Sequence, residues 1–243
     1  MRRRQILQAA VSGLALSPLL SVFEIAVAEE PKSGALIQML PKDGTWTEFN
    51  VNVKLNGQEI VPSWKLRSVG QAFHGGKQCR FIEMEQTCDH PQLQNATWRM
   101  LVPEEEFGDG KDPISKMVKC WVKFDSGEPE VVESIPLKDP AFGMLLAGPK
   151  QNLKTEEAKE KVSWQQGDLE CSVVSGHNAI EFGNTKFGMT HRILRHKDVP
   201  FGLAGMQQEL NINFGGQKQT ATIKMTLKDH GNEAKAKLPD LVP

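Results

Sequence analysis

Apolar and polar residues alternate with a period of two along much of this chain. Phe49, Val51, Val53 and Leu55 fall on one face of an extended segment, and Glu48, Asn50, Asn52 and Lys54 on the other. That is the pattern of a half-buried strand. Asn56-Gly57 follows, and both residues accept the positive φ of a type I′ turn. A two-residue turn there pairs Leu55 with Gln58, Val53 with Ile60 and Phe49 with Trp64. On the polar face it sets Lys54 against Glu59 and Glu48 against Lys65, so charge and hydrophobicity agree on one register. Pro62 falls opposite Val51 where an N–H is needed, and predicts a bulge or a strand edge.

A second hairpin is expected late in the chain. Leu210, Ile212 and Phe214 run into Gly215-Gly216, and Ala221, Ile223, Met225 and Leu227 run out. A two-residue turn pairs Leu210 with Ala221 and Met206 with Met225, apolar with apolar. Between the hairpins, 79–87, 97–102, 118–124, 169–175 and 190–196 also read as strands. Antiparallel sheet with one face covered and one face wet is the architecture this implies. Helical signals are short. Asp112-Pro113 predicts a helix start ahead of Ile114, Met117 and Val118. Asp139-Pro140 repeats the device ahead of Phe142, Leu145 and Leu146. Thr155 reads as the cap of a helix over 156–161, where Glu157 and Lys161 stand four apart. Residues 127–161 hold most of the helix-leaning and turn residues and read as an insertion between sheet halves.

The first 28 residues change the picture from fold to address. Arg2, Arg3 and Arg4 precede a weakly apolar run from Ile6 to Val27, and Ala26-Val27-Ala28 is a small-x-small cleavage site. This order predicts an export signal cut after Ala28. Arg3-Arg4-Gln5-Ile6-Leu7 also fits a twin-arginine signal, so general secretory and twin-arginine export both stay open. Residues 29–243 then form one β-rich domain, with 229–243 an irregular tail. The full sequence carries a formal charge of −1, and losing the basic start makes it slightly more acidic. Such a chain has no electrostatic reason to bind nucleic acid. No second long apolar segment predicts a span in the mature chain.

An oxidising compartment permits disulfides. Four cysteines, Cys79, Cys88, Cys120 and Cys171, allow three complete pairings, and the sequence does not choose among them. Cys79 and Cys88 on one straight strand would stand roughly 30 Å apart, beyond bridging distance. Cys79, Cys120 and Cys171 sit among apolar strand residues, where a thiol packs as a small hydrophobe.

Catalytic patterns are sparse. The chain has no phosphate loop, nucleophile elbow, dinucleotide fingerprint or zinc-protease pair, so no catalytic residue, metal site or cofactor is expected. His191 and His196, five apart on a strand, point to opposite faces. Cys88-Asp89-His90 reads as a surface turn. Glu104, Glu105, Glu106, Asp109 and Asp112 read as a solvated loop lacking calcium-loop spacing. Glu83 and Glu85 share a strand face, and paired carboxylates serve some glycosidases, which makes them the one candidate for a hydrolase.

Four short stretches resemble a family of secreted bacterial β-rich proteins. They are Arg80-Phe81-Ile82-Glu83, Leu101-Val102-Pro103-Glu104, Val199-Pro200-Phe201-Gly202 and Asp229-His230-Gly231. More distantly, the succession of antiparallel strands with few short helices is similar to periplasmic lipoprotein carriers. That resemblance implies a curved, unclosed half barrel around an apolar hollow that helices plug until a lipid chain enters. It also implies that Phe142, Leu145 and Leu146 belong to a plug helix, and that Val199 and Phe201 sit on a loop at the mouth. The expected protein is therefore exported, mainly β and non-catalytic, binding a lipid or other hydrophobic small molecule in a concave sheet. A cell-envelope protein partner is the alternative.

Overall fold

The two predicted hairpins anchor a single antiparallel sheet that does not close into a barrel. The computed structural model describes residues 34–55, 57–90, 94–125, 127–132, 146, 148–182, 185–214 and 217–239 of the 243-residue chain. The expected export signal, Phe142, Leu145, Asn56 and Gly215-Gly216 lie outside them.

Its strands are β1 (Trp46–Leu55), β2 (Gln58–Ile60), β3 (Ser63–His74), β4 (Lys77–Thr87), β5 (Ala96–Pro103), β6 (Lys119–Phe124) and β7 (Glu130–Val131). The second set is β8 (Gln151–Thr155), β9 (Glu160–Trp164), β10 (Gly167–Phe182), β11 (Thr185–Arg195), β12 (Leu203–Phe214) and β13 (Gln217–Gly231). Across the sheet they run β7-β6-β5-β4-β3-β1-β13-β12-β11-β10-β8, with β2 on β1 and β9 on β10. Each set is a meander of sequence neighbours, and β1 beside β13 joins the two.

Both registers follow the alternation. Leu55 faces Gln58, Val53 faces Ile60, Phe49 faces Trp64 and Glu48 faces Lys65. Leu210 faces Ala221 and Met206 faces Met225. Pro62 acts as its missing N–H requires: β2 stops at Ile60, β3 begins at Ser63, and the Val51 N–H donates to the Pro62 carbonyl at 3.2 Å. β2 and β3 are one strand interrupted without loss of register. Register shifts at Glu48/Phe49, Ser68/Gln71 and Leu194/Arg195 supply bends, as bulges do.

The helical expectations fare differently. Asp112-Pro113 starts only one 3₁₀ turn, Ile114–Lys116, with the Ser115 hydroxyl donating to the Asp112 carbonyl at 2.8 Å. The helix expected after Thr155 is absent. Thr155 ends β8 and Glu160 begins β9, with Val162 buried at its centre. The described ends of the 127–161 segment add β7, β8 and β9 to the sheet, and the helix-bearing insertion expected between them falls mostly outside the described residues. The tail also differs from expectation. β13 includes Asp229, His230 and Gly231, and residues 232–239 lie ordered against the sheet.

Candidate functional site

One face of the sheet carries Phe49, Trp64, Ile82, Trp98, Met100, Ile193 and Met206 into a common core. Residues from opposite ends of the sheet, Cys120 on β6 and Cys171 on β10, join the same cluster, so this face is the inner, concave one. Short segments fill the hollow it forms. Leu36 and Ile37, from a strap ahead of β1, are buried there, as are Leu146, Val199 and Phe201. Backbone bonds pin the strap: the N–H groups of Gln38 and Met39 both donate to the Phe201 carbonyl at 3.3 Å, and the Gly108 N–H donates to the Gln38 carbonyl at 2.9 Å. Gly34 and Gly148 cross without side chains between them. A Cβ on Gly148 would lie 1.8 Å from the Gly34 carbonyl oxygen.

Three of the five predicted ligand residues, Leu146, Val199 and Phe201, are buried in the same core cluster. Their role there corrects the expectation of a mouth loop. Phe201 has no exposed surface, because the backbone turns it inward. Its φ of 67° and the φ of 74° at Gly202 place both residues in the left-handed region. Val199 accepts the Gly202 N–H at 3.0 Å, closing the turn. Phe201 is a stopper under the strap, not an exposed tip.

Arg195, which the sequence did not single out, ends β11 beneath the same strap. Its Nη2 donates to the Ala35 carbonyl, while Nε and Nη1 are buried with no hydrogen-bond partner. Burial pushes this guanidinium down to about 10, against a partial pull upward from Asp109. Beside it opens a recess of about 200 Å³, lined by Gln38, Asp109, Ser172, His196 and Gly202 among others. A larger groove of about 560 Å³ crosses the polar face of β1, β13, β12 and β11 and is lined by Lys54, Lys224, Gln207 and Glu209. Arg192 at its end is held by Glu156 and Glu160, at 2.9 and 3.0 Å.

On the outer face of β4, Glu83 and Glu85 do structural work instead of facing a shared cleft. Glu83 is fully buried; Arg99 pairs with it at 2.6 Å, and the N–H groups of Lys237 and Leu238 donate to it at 2.8 and 3.0 Å. Arg99 completes the clamp by donating to the Leu238 and Pro239 carbonyls. Glu85 binds Arg67 and, at 3.0 Å, Lys237. The two carboxylates fasten the 232–239 segment, so the hydrolase reading loses its residues.

All four cysteines are free thiols. Burial pushes Cys120 up to about 12 and Cys171 up to about 11 and raises Cys79 as well. These thiols are packing groups, as their apolar neighbours suggested. The acidic stretch is spent on neighbours: Glu104 binds Arg80 at 2.8 Å, Glu105 binds Lys77 at 2.6 Å and Asp109 accepts from the Gln38 amide at 2.8 Å. Among the described residues no set of three metal-ligating side chains converges. His191 lies wholly buried beside Asn178, away from His196.

No family model matches this chain, and no curated protein matches it. Among solved structures it is similar to a Bacteroides fragilis protein named as exported and of YmcC-like fold, at 8% identity and a TM-score of 0.40, covering 82% of this chain and 100% of that one. It is also similar to a DUF1329 family protein from Desulfovibrio piger, at 10% identity and a TM-score of 0.34, covering 81% of this chain and 88% of that one. No helix among the described residues is long and apolar enough to cross a membrane.

Proposed function

We propose that this is an exported, non-catalytic protein that holds an apolar ligand, a lipid or acyl chain, between the inner face of its sheet and the strap. The observation that carries the reading is how the hollow is filled. Among the described residues it is filled by Leu36, Ile37, Leu146 and Phe201, all from segments outside the sheet. Separate pieces held by a few backbone bonds can withdraw while the sheet stays intact. Their apolar contacts offer an acyl chain the same surroundings they give up.

A fluorescent fatty acyl probe titrated into the purified protein tests this. Saturable binding is expected, and Ile37→Ser, which loosens the strap, should tighten it at least about tenfold, or 1.4 kcal/mol. Absence of saturable binding to both wild type and Ile37→Ser overturns the reading.

A further inference from the structure

Among the described residues Arg195 is a charge without an ion-pair partner, and Asp109 acts on it only from a distance. A guanidinium pushed down to about 10 still carries its proton at neutral pH. Its Nε and Nη1 are shielded from water and find no acceptor, and only Nη2 is used, on the Ala35 carbonyl. An uncompensated buried ion costs several kcal/mol, so an acceptor brought to these two nitrogens relieves that cost. The guanidinium fork matches a planar or tetrahedral oxyanion with two parallel bonds.

The surroundings fit an anion. The adjoining recess of about 200 Å³ carries Lys197 and His196 as well as Arg195. Asp109 is the one acidic residue among those lining it, and its carboxylate accepts from Gln38. Among the described residues no carboxylate comes within ion-pair distance of Arg195. The recess adjoins the strap through Gln38 and Met39. An anionic group seated there therefore lies next to the hollow that the strap fills.

We propose that Arg195 and this recess bind an anionic group, a carboxylate or a phosphate, and that the group is the head of the ligand whose chain lies under the strap. The second half rests on the reading of the hollow given above.

Laurate, dodecanol and inorganic phosphate, each below any micellar concentration, separate the two. Calorimetric titration and thermal melts are run on wild type, Arg195→Met and Arg195→Lys. Laurate should bind wild type at least tenfold tighter than dodecanol. Arg195→Met should erase that preference, and Arg195→Lys should keep part of it. Without ligand, Arg195→Met should melt no lower than wild type, because the charge it removes is unpaid; a melting temperature lowered by several degrees makes the arginine structural and overturns the proposal. Equal binding of laurate and dodecanol to wild type overturns the anion site and leaves the hollow. Phosphate raising the melting temperature of wild type but not of Arg195→Met, with neither amphiphile bound, keeps the anion site and removes the hollow. Binding of none of the three overturns both.

Discussion

Phe201 holds a left-handed backbone, φ 67°, that costs an L-residue about 1–2 kcal/mol. What repays it is complete burial of the ring beneath the strap. Truncation to alanine should therefore cost about 3–5 kcal/mol. Glycine, ordinarily the worse choice, should here be better than alanine by roughly 1 kcal/mol, since it alone occupies this region without strain. Urea unfolding of Phe201→Ala and Phe201→Gly checks the order, and alanine above glycine would mean the backbone relaxes instead. His191 shows the same dependence on burial through protons. Desolvation lowers it to about 4, below its unfolded value of about 6.5. Between those values the unfolded chain holds a proton that the folded one refuses, so stability falls as pH drops from about 6.5 towards 4 and levels off below. The full loss is on the order of 3 kcal/mol at 1.36 kcal/mol per unit. His230, stacked on Trp164, is lowered in the same direction. His191→Gln should flatten most of the slope in denaturant midpoints measured from pH 4 to 7.

Elements whose turn and alternation agree could be read directly. β1 with β2 and β12 with β13 have turns too short to permit another register, and Pro62 announces its own interruption through chemistry that no context alters. Elements that depend on distant partners could not. Residues 156–161 have helical propensity and a favourable Glu157–Lys161 spacing, yet β9 forms because Val162 finds the core and its strand finds β10. Propensity amounts to tenths of a kcal/mol per residue, and burying one valine outweighs several of them. Val199-Pro200-Phe201-Gly202 reads as a surface turn for the same reason: local sequence predicts the turn but not which way Phe201 points. Arg99 opposite Glu83 required the β4–β5 register, which a long connection leaves unspecified. The apolar Ala35-Leu36-Ile37 ahead of β1 was the one overlooked signal that local pattern did offer.

For the molecule as a whole, β13 determines when the sheet becomes one object. Each meander grows by adding a strand to the one made just before, at little entropic cost. β13 pairs with β12 behind it and with β1 from the far end of the chain. It thus lies in the middle of the sheet although it comes last in sequence among the described strands. Until it arrives, β1 and β12 both present long open edges of backbone N–H and carbonyl groups, the templates on which strange chains pair. A chain ending at residue 216 should therefore be recovered as aggregate when refolded at micromolar concentration, while the full chain refolds to a soluble form; light scattering distinguishes them. The same placement gives the protein a built-in test of completeness. A prematurely ended chain lacks its centre instead of its fringe, and so cannot pass as a slightly shortened version of the finished fold.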